Sequence, residues 1–195
     1  MSDPLPSVPL RDPARLRALA HPARLSIMSH LNTGAAATAT EFAELVGLSP
    51  SATSYHLRAL AKVGLIEEAP SRGDGRERVW TSALRGYQVA TEQHADPEVR
   101  AAEDQLIDAF LVLENERVRE FLAHRDKEPP EWFAVAFASE SLLDMTAAEL
   151  DELQKKVMEL IAPYRKGQRA DVPDSTRTVS ASFRAFPLPD RDVKD

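Results

Sequence analysis

Cysteine is absent from this chain of 195 residues, which excludes disulfides, thiol redox switching and thiolate metal sites. No apolar run approaches the ~18 residues that a membrane-spanning helix needs. The opening 1-MSDPLPSVPLRDP-13 lacks the positive start and apolar middle of a secretory leader. It reads as a short, proline-rich disordered arm over 1–10. A cytoplasmic location with no membrane partner is the simplest expectation. No Gly-rich phosphate loop, GxSxG or HExxH occurs, and the carboxylates fall mostly on predicted helix exteriors, so neither catalysis nor a cofactor is expected. There is no internal repeat.

What remains is an ordinary globular composition, 43% hydrophobic and 28% charged. The net charge of −7 hides a split. Residues 11–85 carry ten Lys/Arg against seven Asp/Glu, whereas 86–195 carry fourteen against twenty-three. A mildly basic module is thus joined to an acidic one.

The helix punctuation is dense at the start. Asp12-Pro13 is an N-cap followed by proline at the first helical position, and Pro22 starts a second helix after His21. Thr38 and Glu41 have capping-box spacing ahead of 42-FAELV-46. Gly47 supplies a tight turn, and Ser49-Pro50 opens a helix that reaches about Lys62 before Gly64 stops it. Then 65-LIEEA-69 and 78-RVWTS-82 read as two strands around the glycine-bearing tip 70-PSRGDGRE-77.

In 48-LSPSATSYHLRALAKVGLI-66 a helix begins with small hydroxyls and hydrogen-bonding side chains and turns apolar only in its second half. Two short helices joined by a Gly-containing turn, then a hairpin, make a winged helix-turn-helix over 11–85. Its second helix would place its polar N-terminal half in a major groove about 12 Å wide and anchor its C-terminal half in the domain. Ser51, Ser54, Tyr55 and Arg58 are the expected outward positions; Thr53, Leu57 and Leu60 are expected to face inward. Thr40, His56 and the wing's Arg72, Arg76 and Arg78 complete the candidate contacts to double-stranded DNA, the arginines being suited to phosphates or the minor groove. His56 serves equally as a phosphate contact or as a packed polar residue. The competing reading of 50–62 is a surface helix of a helical bundle.

The run 18-ALAHPARLSIMSHL-31 followed by 41-EFAELVGLSPSATSYHLRALAKVGLIEE-68 resembles the ArsR/SmtB family of bacterial transcriptional regulators. The resemblance rests on His21-Pro22, Arg24, Ile27 and Leu31, then Gly47, Leu48, Ser49, Ser54, His56, Leu57, Leu60, Gly64 and Leu65. Phe42 stands for the usual leucine and Thr53 for the usual valine. It covers 11–85 and implies a dimeric winged-helix DNA-binding protein, usually a repressor released by an effector. The family's metal sensors hold thiolates or histidine–carboxylate sets in fixed register. Here His94/Asp96 and His124/Asp126 fall on either side of the long helix with nothing in register, so no metal site is expected. A metal-responsive repressor stands as an alternative, as does a winged helix used as a protein-interaction module.

Beyond a linker, 86-GYQVATEQHA-95, Asp96-Pro97 opens a helix to about 125 whose apolar residues, from Leu106 to Leu122, spread over roughly half its circumference. Over 86–127 this reads as linker and dimerisation helix, one flank on its own domain and the other on a second copy at a palindromic operator. Residues 128–189 read as a strand-helix-strand unit for dimerisation or an effector, followed by a tail over 190–195. The predicted strands are 131-EWFAVAFAS-139 and the alternating 178-TVSASFRAF-186; Thr146 and Glu149 form a second capping box before the helix between them. The expected class is α+β, mainly helical. Phe110, Glu114, Arg117, Trp132, Phe133 and Phe137 are the candidate contacts for an apolar or aromatic small molecule. Local pairing of Glu114 with Arg117, and ordinary core or dimer packing of the aromatics, are the competing readings.

Overall fold

The computed structural model describes residues 8–70, 77–84, 87–89, 96–167, 169 and 171–189. The chain divides into two units, 1–120 and 121–195.

In the first unit each helix start is set by its own sequence. Asp12 accepts a hydrogen bond from the Ala14 N–H at 3.0 Å and opens α1, Pro13–Leu19, with proline at the first position, where no intrahelical N–H is needed. His21 is extended, as the residue before a proline must be, and its Nδ1 accepts from the Ala23 N–H at 3.2 Å at the head of α2, Pro22–Leu31. Ahead of α3, Ala39–Val46, the Thr38 hydroxyl accepts from the Glu41 N–H while the Glu41 carboxylate accepts from the Thr38 N–H, a reciprocal capping box. Gly47 closes α3 at φ 66°, a left-handed conformation that disfavours other residues. Ser49 then caps α4, Pro50–Lys62. Arg15 on α1 donates to the Val63 carbonyl at 3.1 Å, satisfying an acceptor at the end of α4.

The wing is a three-stranded antiparallel sheet in the order β2, Ala37–Thr38, β4, Val79–Ser82, and β3, Ile66–Ala69. Ile66 pairs with Ser82 and Ala69 with Val79, and on the other side of β4 Ala37 pairs with Trp80. The predicted antiparallel pairing of the two strands is present, and most of the predicted tip, 71–76, lies outside the described residues. The third strand is two residues long, too short to have a period in the sequence.

Val8–Leu10 (β1) lies within the expected disordered arm, yet it pairs in parallel with Tyr87–Val89 (β5), which lies in the expected linker. Leu10 is buried in the core, and that apolar anchor explains why the segment is ordered. Two three-residue runs separated by the whole winged helix carry no local signal for pairing.

Helix α5, Pro97–His124, begins where Asp96 accepts from the Glu98 N–H. It buries Ala102, Glu103, Leu106, Ala109 and Leu113, and all but Glu103 join the core formed by Leu16, Leu25, Ile27, Phe42, Leu57 and Leu60. Ala102, Leu106, Ala109 and Leu113 follow an i, i+4, i+7, i+11 pattern, one narrow stripe. Arg17 on α1 is ion-paired with Glu98 at the head of the same helix.

The second unit departs from expectation. Its helix, α7 at Ala147–Ile161 in chain order, is present with the predicted Thr146/Glu149 capping box. The strands on either side are not. Pro130–Phe133 forms a short helix, α6, and 134–146 has no regular structure. Proline at the first helical position favours that turn, and the alanines of 131–139 have low strand propensity. The alternating 178–186 run also forms no ladder. Alternation supplies a strand with one apolar face but not the neighbour whose N–H and C=O groups it must pair with. Expected as strand-helix-strand, the described residues of the unit instead form three short helical elements, Arg125–Lys127, Pro130–Phe133 and Ala162–Tyr164, with a longer helix and irregular chain.

Candidate nucleic-acid interface

The polar-then-apolar construction of α4 resolves into two faces. Thr53, Leu57 and Leu60 are fully buried, while Ser51, Tyr55 and Arg58 are exposed and Ser54 is half-buried. The outward set follows i, i+3, i+4 and i+7 and so forms one stripe. The sequence-based assignment of inward and outward positions holds at each of these residues.

A cleft of about 440 Å³ lies between the start of α3, the outer face of α4 and strand β4. It is lined by Thr38, Thr40, Ser54, Arg58, Arg78 and Trp80, together with Ala39 and Glu77. Four of the sequence-predicted contacts, Thr40, Ser54, Arg58 and Arg78, are thereby brought to one concavity. Arg72 and Arg76 lie outside the described residues. Arg78 is ion-paired with Glu68 across the hairpin at 3.3 Å, both side chains being more than half exposed. Such a surface pair is worth about 0–1 kcal/mol, so a phosphate can take the guanidinium over at little cost. Trp80 and Thr38 were not among the sequence-predicted contacts, because their place in the cleft depends on the pairing of β2 with β4.

His56 is a packed residue. It is 7% exposed, and its ring centroid lies 4.5 Å from that of His21. Burial lowers the pKa of His56, and the neighbouring His21 and Arg24 push it the same way. His21 is lowered too, by burial first and then by Arg24. Because the Nδ1 of His21 accepts the α2 cap hydrogen bond, its single proton sits on Nε2; a second proton would have to remove that bond. The capping bond at the head of α2 is thus made by neutral His21, and burial beside His21 and Arg24 disfavours the charged form of His56 on α4.

The consequence has a definite sign. With folded-state pKa values below the ordinary ~6.5, the unfolded chain takes up protons first on acidification. Stability from this pair is full above the unfolded value and is lost as pH falls from there toward the folded pKa. Thermal melts at pH 7.5 and pH 5.5 should show a larger acid loss for the wild type than for His56→Gln. Equal losses would mean that the carboxylates alone set the acid response.

The candidate effector residues are distributed over both units. In the first, Phe110 is partly buried against the core, and Glu114 and Arg117 are half-buried. In the second, Trp132 is half-buried beneath the Arg177 guanidinium, whose central carbon lies 5.2 Å from the ring centroid. Arg177 also makes a two-pronged ion pair with Glu128, at 2.5 and 3.3 Å. That partner holds the Glu128 carboxyl below its ordinary pKa. Phe133 and Phe137 are exposed. The pair His124/Asp126 lies at the end of α5, whereas His94 is outside the described residues. No group of three or more His, Asp or Glu side chains able to hold a metal occurs among the described residues, and no helix among them is long and apolar enough to cross a membrane.

Residues 19–69 match the helix-turn-helix domain family, the segment that holds α2, α3 and α4. This part of the chain is a helix-turn-helix domain, and with the sheet around β4 it has the winged form. Over 54 residues the chain is 43% identical to the HTH-type transcriptional regulator YgaV of Escherichia coli (strain K12), a match that takes in 28% of this chain and 54% of that one. The chain thus spans about half the length of that curated relative. Among solved structures, a mutant of Lactococcus lactis ZitR in apo form is 17% identical, covering 73% of this chain and 81% of that chain with a TM-score of 0.30. A second structure of the ZitR mutant is 16% identical, covering 73% of each chain with a TM-score of 0.29.

Proposed function

We propose that the protein is a transcriptional regulator that binds double-stranded DNA sequence-specifically, acts as a homodimer and represses by occupying a palindromic operator. The observation that carries this reading is the division of α4. Its inner face is buried by leucines, and its outer face presents Ser51, Tyr55 and Arg58 beside a cleft shared with Thr40 and Arg78. A helix fits the major groove, and this face offers the hydrogen-bonding groups that read base edges there. The match of residues 19–69 to the helix-turn-helix family supports it, as does the similarity to a relative named as a transcriptional regulator. The likeness to ArsR/SmtB regulators supports repression.

The homodimer is supported by a second stripe on α5. Ile107, Leu111, Glu114 and Val118 repeat the i, i+4, i+7, i+11 spacing, about 140° around the helix from the stripe that the chain's own core covers. Ile107 is 42% and Val118 56% exposed. The dimer is expected to read half-sites one DNA turn apart, about 34–36 Å.

Footprinting on the DNA upstream of the protein's own coding region tests the reading. The expected result is a protected palindrome whose affinity falls steeply with salt, as counterion release requires. Failure to bind any duplex would overturn it in favour of a winged helix used for protein interaction.

A further inference from the structure

Arg24 is a cation that the fold leaves without a counter-ion. It stands in the first turn of α2, where the helix dipole already disfavours positive charge and no acidic side chain offsets it. Helix α4 packs against α2, and neither helix contains an aspartate or a glutamate. The Arg24 Nε is buried without a hydrogen-bond partner. The two terminal nitrogens are not buried and make no hydrogen bond or ion pair among the described residues. Removing a guanidinium from water without pairing it is costly, and burial holds its pKa below the ordinary value. Its neighbours belong to the recognition helix and the α2 cap. The His21 and His56 rings are 4.5 Å apart, the Tyr55 ring is 5.5 Å from that of His56, and the charge of Arg24 acts on all three. Tyr55 is 63% exposed on the outward stripe of α4. Arg24 thus stands beside the face that the reading above turns toward DNA.

We infer that Arg24 binds a phosphate of the DNA backbone beside each half-site, a contact made by α2 rather than by the recognition helix or the wing. This rests on the DNA-binding reading and adds a residue outside the sequence-predicted contacts. A guanidinium fork suits two phosphate oxygens at once. The anion supplies the negative charge that α2 and α4 both lack, and the N-terminal dipole of α2 favours it in the same place. A grip on the backbone next to Tyr55 fixes the register of α4 in the groove and reads no base itself.

Arg24→Met keeps a flexible stem of similar reach and removes the charge. The expected result is a thermal transition of the free protein that is unchanged or raised, because no partner is lost. Operator and scrambled duplex should both bind more weakly, with the slope of log K against log salt smaller by about one for each half-site. Arg24→Lys keeps the charge without the fork and should retain most of the slope. In ethylation interference, the modified phosphate that blocks the wild type should cease to matter to Arg24→Met. A folded Arg24→Met with the wild-type salt slope would overturn the inference and leave the DNA-binding reading standing. Variants that melt far below the wild type or fail to fold would assign Arg24 to the fold and overturn it too. Inorganic phosphate, exchanged for chloride at constant ionic strength, separates a free anion from DNA. If it raises the wild-type transition but not that of Arg24→Met, and the salt slopes agree, the site takes a free anion and the inference fails. A wild type that binds no duplex would overturn the DNA-binding reading and this contact with it.

Discussion

A chain carrying Ile107→Glu and Val118→Glu is expected to be folded, monomeric at micromolar concentration and about 10²- to 10⁴-fold weaker on its operator, because linking two half-site contacts in one particle supplies that much avidity. Both side chains are partly exposed in the single chain, Ile107 at 42% and Val118 at 56%, so the substitutions remove only part of their packing and should lower the thermal transition far less than a change in the buried stripe. They would, however, add four carboxylates to the seam of the proposed dimer, beside Glu114 of each copy, where desolvating further negative charge is costly. Leu106→Glu is the contrasting case. Leu106 is fully buried in the stripe that meets the core, and the same change there should unfold the domain. Sedimentation of the double variant, with circular dichroism to verify folding, decides the matter. A double variant that remains dimeric would show that this stripe is not the seam.

The helical part of the winged helix was legible because its punctuation is local. Asp12, Ser49 and the Thr38/Glu41 pair bond within a few residues of themselves, and Pro13, Pro22 and Pro50 fix φ where helices begin. The inward and outward positions of α4 followed from a period of 3.6. The pairing of β1 with β5 was illegible because partners more than seventy residues apart are chosen by burial of residues such as Leu10, not by neighbouring sequence. The candidate site shows the same division. Arg58 and Ser54 could be placed from helical spacing, whereas Trp80 reaches the cleft through the register of β2 on β4. At 178–186 the sequence alternates but specifies no partner, and the expected half-buried strand is absent. An alternating face does not form a strand by itself.

Arg58 and Arg78 share one cleft but should fail differently when replaced. Arg58 is the C-terminal member of the outer stripe of α4 and lines the cleft with Ser54 and Thr40, where a guanidinium can donate two hydrogen bonds to the edge of a guanine. Arg58→Ala is expected to cost about 1–3 kcal/mol on the operator and to relax preference at one base position in each half-site. Arg58→Lys keeps the charge but loses the fork. It should therefore retain most of the salt dependence while losing most of the discrimination. Arg78 lies at the base of the wing, already held by the exposed Glu68, and in the proposed function it meets phosphate. Arg78→Ala should weaken operator and unrelated duplex alike and reduce the slope of log K against log salt by about one. Removing the competitor with Glu68→Gln should strengthen binding modestly and without regard to sequence. Affinities of the four variants for operator and scrambled duplex, at several salt concentrations, separate the two roles. If Arg58→Ala and Arg78→Ala both leave preference and salt slope unchanged, the DNA-facing surface lies elsewhere on the molecule. If Arg58→Ala weakens every duplex equally, the arginine contacts phosphate and sequence is read by Ser51, Ser54 or Tyr55 instead.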